Sequence, residues 1–93
     1  MPRIVFMIEV DDLPEWERKF RTHGDLFRRQ TIDGLYEYAM IEDGNRVVLS
    51  AEVHDIDTFF EVLETPDANA AKDFDGVDRP SIQVFVLDKR FEF

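Results

Sequence analysis

Three short runs in this 93-residue chain, IVFMI at 4–8, VVL at 47–49 and VFVL at 84–87, are apolar at every position. Successive side chains of a strand point to opposite faces. A strand wetted on one side therefore alternates apolar with polar, and an uninterrupted apolar run implies cover on both faces. Helices can cover one face of a sheet. The other, left bare, would present an apolar patch well beyond the few hundred Å² usual for a soluble monomer. The pattern therefore calls for a second copy packed sheet against sheet about a two-fold axis, a homodimer. A chain of this length is also near the size at which one core alone is marginally stable.

The segments around these runs order the rest. Ile4–Val10 is β-branched and aromatic, a strand by propensity. Asp12 reads as an N-cap, with Pro14 in the first turn and Glu15 completing a D-x-x-E capping box, so a first helix runs from there to about Arg29. "TIDG" ends it at Gly34. "LYEYAMI" and "RVVLSAEVH" form an antiparallel pair whose "EDGN" link carries the Asp-Gly hairpin signal, the turn centred on Asp43-Gly44. Asp55 or Asp57 caps a second helix, "TFFEVLE", which breaks at Thr65-Pro66 before a short helical piece, "DANAAKDF". "SIQVFVL" is the last strand, followed by the tail "DKRFEF". The order strand, helix, strand, strand, helix, strand predicts one α+β domain over residues 1–93. It is a ferredoxin-like βαββαβ fold with both helices on one face of a four-stranded antiparallel sheet.

Composition removes several functions. A formal charge of −10, from 21 acidic and 11 basic residues, opposes binding to nucleic acid or to anionic membranes. No run of apolar residues approaches the roughly 20 needed to span a bilayer, and the N-terminus shows no export signal. The expected home is the cytoplasm. With no cysteine there is no disulfide or thiolate nucleophile, and two histidines without H-x-H or H-E-x-x-H spacing make no convincing metal set. No glycine-rich phosphate loop occurs, which argues against flavin and nicotinamide, and no serine sits in a nucleophile elbow. Haem needs only one axial histidine and stays open, though the acidic chain has no evident basic pair for its propionates, and no cofactor is expected.

With the element order in place, the Trp of "DLPEW", the F-x-x-H after it, the glycine before the second strand and the "EDGNRVVL" hairpin together resemble the dimeric α/β-barrel superfamily. That superfamily includes antibiotic-biosynthesis monooxygenases, polyketide cyclases, haem-binding and haem-degrading enzymes and stress-responsive proteins. The resemblance implies a two-fold dimer whose two sheets form a barrel, with a ligand cleft in each subunit between sheet and helices. It names no reaction, because fold does not determine function.

His23 is the sharpest chemical signal. On a continuous helix, residues 16, 20, 23 and 27 fall within an arc of about 60°, so His23 shares an apolar stripe with Trp16, Phe20 and Phe27. It is either a core histidine with bonded ring nitrogens or a general acid/base in a cleft, because imidazole titrates near neutrality. Gly24 either breaks the helix, admits a ligand or is simply tolerated. Tyr36 and Tyr38 share a strand face with Leu49, Ala51 and Val53, an apolar wall with two hydroxyls that suits a ligand or core packing alike. Phe59 and Phe60 are expected in the core, with Phe60 a candidate for the far wall of the cleft. His54, where members of the superfamily sometimes carry a histidine, is expected to be an exposed strand-end residue. These residues support a homodimer that binds an elongated or aromatic apolar metabolite, fatty-acyl-like or polyketide-like. The alternative is a cofactor-independent cyclase, isomerase or monooxygenase using His23. A purely structural interaction module is the more distant third.

Overall fold

The computed structural model describes residues 2–93. Its elements are β1 (Arg3–Glu9), α1 (Leu13–Phe20), α2 (Gly24–Arg29), β2 (Ile32–Ile41), β3 (Arg46–Val53), α3 (Ile56–Leu63), α4 (Pro66–Phe74) and β4 (Gln83–Leu87), with one 3₁₀ turn at Arg79–Ser81 before the last strand. The strands form a four-stranded sheet in the order β2-β3-β1-β4, and every neighbouring pair is antiparallel. This is the expected ferredoxin-like α+β fold.

Local chemistry accounts for the element ends. Asp12 caps α1 by accepting the Glu15 N–H at 3.0 Å, but the Glu15 carboxylate turns outward to Arg18 at 2.8 Å, so only half of the capping box forms. Of the two candidate caps for α3, Asp55 is the one used, accepting from the Thr58 N–H at 3.1 Å. The hairpin closes over Glu42–Asn45, with Ile41 paired to Arg46 and both Gly44 and Asn45 at positive φ.

Two expectations need correction. The first helix is not continuous. Thr22 bonds back to the Lys19 carbonyl through its hydroxyl at 2.6 Å, and His23, at φ −97° and ψ 30°, leaves helical geometry before α2 begins at Gly24. A side chain competing for a terminal carbonyl, followed by glycine, is enough to stop propagation. The exit from α2 also does not wait for Gly34. Thr31 takes the left-handed conformation at φ 64°, and its hydroxyl bonds the Asp55 N–H at 3.0 Å, which compensates a conformation that β-branched residues disfavour. β2 consequently starts at Ile32, opposite Val53, and Gly34 sits in the irregular stretch before regular pairing resumes at Tyr36.

The core lies between sheet and helices. Ile4, Phe6 and Ile8 of β1 and Val47, Leu49, Ala51 and Val53 of β3 face Trp16, Phe59 and Leu63, all buried. Register puts Val5, Met7, Val48, Phe85 and Leu87 on the opposite face. There, Phe85 is 47% and Leu87 53% exposed in the single chain. The outer face of β3 is less apolar than its run suggests, because Ser50 and Glu52 follow Val48 and bond Arg3 at 2.8 and 3.3 Å. No helix among the described residues is long and apolar enough to cross a membrane.

Candidate functional site

The break between α1 and α2 shapes the site. Trp16 and Phe20 come down from α1 and Phe27 from α2, and they meet Tyr36 rising from β2. Trp16 stacks on Phe20 at 4.7 Å between ring centroids, and Phe20, Phe27 and Tyr36 form a mutual triad at 4.8, 5.2 and 4.9 Å. Edge-to-face and tilted contacts of this kind suit the aromatic quadrupole. Behind the triad is an inner chamber of about 60 Å³, bordered also by His23, Gln30, Leu49, the α4 residues Ala68, Ala71 and Lys72, and Asp75, the C-cap of α4. In front of it is an outer chamber of about 430 Å³ bordered by Arg21, Gly24, Arg28, Gly34, Leu35 and Tyr38. Phe20, Phe27 and Tyr36 line both, so the two chambers adjoin across these three rings.

Because the helix breaks at His23, its ring leaves the α1 stripe and reaches α4. His23 Nε2 lies 2.8 Å from Asp75 Oδ1, a contact between residues 52 apart in the chain. The Asp75 side chain is 4% exposed and that of His23 17%. Burial pushes the Asp75 carboxyl above the usual carboxylate range, while the His23 hydrogen bond, the His23 charge and Lys19 pull it back down. A carboxylate on Nε2 holds the proton there and leaves Nδ1 as the nitrogen open to a ligand. Sequence reasoning missed Asp75, one of 21 acidic residues. The available signal was its spacing from Ala68 and Ala71, which continues the inward stripe of α4 onto its C-cap.

Three further polar groups border the inner chamber. Burial pushes the Tyr36 phenol well above its usual range, so it stays neutral and can donate. Lys72 is lowered, first by burial, and its ammonium is committed to the Leu63 carbonyl at 2.8 Å and to Asn69 at 3.2 Å. Gln30 is 3% exposed, and its Oε1, like the Trp16 Nε1, is buried without a hydrogen-bond partner among the described residues. Each such group costs about 1–3 kcal/mol if nothing satisfies it. Gln30 was also missed, although it extends the 23–27 spacing by three residues.

The remaining sequence candidates fall as follows. Leu49 lines the inner chamber. Tyr38 is at the outer one, its hydroxyl donating to Glu17 at 2.7 Å and accepting from Arg21 at 2.8 Å. Phe60 is not in the core. It is 38% exposed, while Phe59 is fully buried, and it borders a separate surface hollow with Glu64, Arg79 and Pro80, because α3 turns only one of two consecutive residues inward. His54 pairs with Asp33 at 3.1 Å, both more than half exposed, and lines neither chamber. No group of three or more His, Cys, Asp or Glu among the described residues could hold a metal ion.

No family model matches the chain, and no curated protein matches it. Solved structures do. An antibiotic biosynthesis monooxygenase superposes with a TM-score of 0.67 at 12% identity, over 97% of this chain and 99% of that one. SnoaB, a cofactor-independent oxygenase from Streptomyces nogalater, gives a TM-score of 0.68 at 21% identity, over 98% and 94%. A protein from Arabidopsis thaliana gives 0.67 at 10%, over 100% and 99%. The chain therefore has the ferredoxin-like fold of the antibiotic biosynthesis monooxygenase structures.

Proposed function

We propose that this protein is a homodimer that binds an elongated or aromatic apolar metabolite in the two-chambered cleft of each subunit. The carrying observation is the cleft itself, an aromatic-walled space between helices and sheet with a few polar groups at its inner end, the usual make-up of a small-molecule site. The apolar outer residues Val5, Met7, Phe85 and Leu87 support sheet-to-sheet pairing. The lone Trp16 in the wall reports on occupancy. Titration with 1-naphthol and with a medium-chain ketone, followed by Trp16 fluorescence, should give saturable changes in wild type that weaken in Phe27→Ala. Absence of any response to either probe refutes the reading.

One observation favours a second reading, a cofactor-independent enzyme. Asp75 supplies the partner that a histidine base needs. With Nε2–H donating to Asp75, His23 Nδ1 takes a proton from an acidic C–H or O–H of the bound molecule. The electron pair stays on the ligand as an enolate or phenolate, and a neutral Tyr36 hydroxyl on the developing oxyanion would stabilise it. Such an anion can cyclise, isomerise or react with dioxygen. The likeness to a cofactor-independent oxygenase supports this course as a fold-level analogy. The test is base-catalysed hydrogen-deuterium exchange at the acidic carbon of an enolisable ketone, which wild type accelerates and His23→Phe does not.

A further inference from the structure

The outer chamber has the opposite charge to the chain around it. Acids outnumber bases 21 to 11 in the sequence, yet the charged residues lining this chamber are two arginines, Arg21 and Arg28, and no acid among the described residues lines it. The hollow beside Val10, by contrast, is lined by Glu9, Asp11 and Asp78. The helix break brings the two arginines to one opening, because Arg21 is the C-cap of α1 and Arg28 lies in the last turn of α2. Each guanidinium rests on another residue of the lining. That of Arg21 donates through Nε and Nη2 to the Tyr38 hydroxyl at 3.1 and 2.8 Å. That of Arg28 folds back over Gly24, its Nη2 lying 3.7 Å from where a Cβ would stand.

Neither guanidinium is used up. Arg21 Nη1 and Arg28 Nη2 bond no acceptor among the described residues, and a guanidinium presents five N–H groups in a plane that matches a carboxylate. The acids that offset these arginines, Glu17 at 3.5 Å from Arg21 and Asp25 beside Arg28, stand outside the lining. Asp25 is 99% exposed, so its pair with Arg28 is of the surface kind that contributes little and is readily exchanged.

Resting on the reading of this cleft as a small-molecule site, we propose that its ligand is an apolar carboxylic acid held by its carboxylate between Arg21 and Arg28. Its aryl or acyl body lies against Phe20, Phe27, Leu35 and Tyr36 of the same chamber. A dianionic head such as a phosphate is less suited, because the −10 charge of the chain acts on both of its charges while the two arginines are already partly offset. Neither contact requires His23, so recognition of the acid is separable from proton transfer.

The test measures binding of 1-naphthaleneacetate, its methyl ester, 1-naphthol and 1-naphthyl phosphate to the full chain by calorimetry near neutral pH. The acid should bind about tenfold or more tighter than the ester, an advantage that shrinks as salt rises. Arg28→Gln should reduce the advantage to within about threefold, and Arg21→Gln combined with Arg28→Gln should abolish it, while 1-naphthol affinity and the unfolding midpoint hold. Equal affinities for acid and ester in wild type, or an advantage that survives the double variant, overturn the proposal; 1-naphthol still bound leaves a small-molecule site standing. A parallel fall in 1-naphthol affinity overturns it by making the arginines structural. Tighter binding of the phosphate than of the acid overturns the carboxylate assignment. Silence with all four probes removes the proposal and the cleft reading together.

Discussion

His23→Phe tests whether the histidine holds a buried acid or merely fills space. Phenylalanine keeps the ring volume and the edge contacts to Phe27 and Phe74, at 6.2 and 6.1 Å between centroids. It removes the 2.8 Å bond to Asp75, whose side chain is 4% exposed. A buried acceptor left without its donor costs about 1–3 kcal/mol. At about 4–8 °C per kcal/mol for a domain of this size, the midpoint should fall by roughly 5–20 °C near pH 8. The pH dependence follows from the raised Asp75 carboxyl. Burial already holds it above its ordinary value, and loss of the His23 bond and charge lets it rise further. A carboxyl whose folded pKa exceeds its unfolded one contributes stability that is fully present below the unfolded value and is lost as pH rises through the folded one. The deficit of the variant relative to wild type should therefore be smaller at pH 4 than at pH 8. Thermal unfolding followed by circular dichroism at both values measures it, and adding Asp75→Leu should recover most of the loss by removing the stranded charge. A variant as stable as wild type at pH 8, or an equal deficit at both pH values, refutes the argument.

Asp75→Asn keeps an oxygen for the His23 N–H and removes the buried charge, so its midpoint at neutral pH should hold or rise while deuterium exchange into a bound ketone slows at least about tenfold; a simple loss of folding would contradict this. Gly34 has φ 72° and open space around it, so Gly34→Ala should cost about 1–2 kcal/mol from backbone conformation alone, seen in denaturant unfolding. Sedimentation at low micromolar concentration should give a dimer with an interface above about 1,000 Å², and Phe85→Glu should yield monomers; a stable wild-type monomer defeats the sheet-face argument. No binding to duplex DNA is expected at moderate salt, and added salt should raise the unfolding midpoint by screening the −10 charge.

The sequence by itself determined the element order, the hairpin, the break at Thr65-Pro66 and the alternation that sets Tyr36 and Tyr38 against Ala51 and Leu49, because each rests on short-range rules of capping, turn chemistry and period. It also marked the aromatic wall, since Trp16, Phe20 and Phe27 are the large apolar residues of one helical stripe. Only the tertiary structure decided what His23 touches. A continuous helix would have kept it beside Trp16 and Phe20, whereas competition for one carbonyl at Thr22 and the freedom of Gly24 turned it toward a carboxylate 52 residues away. Only its spacing from Ala68 and Ala71 sets Asp75 apart from the other acids of an acidic chain, and no local pattern separates Phe59 from Phe60, because burial is a property of what packs opposite. The unpartnered atoms of Trp16 and Gln30 lie still further from sequence: a missing hydrogen bond exists only once every neighbour has been placed.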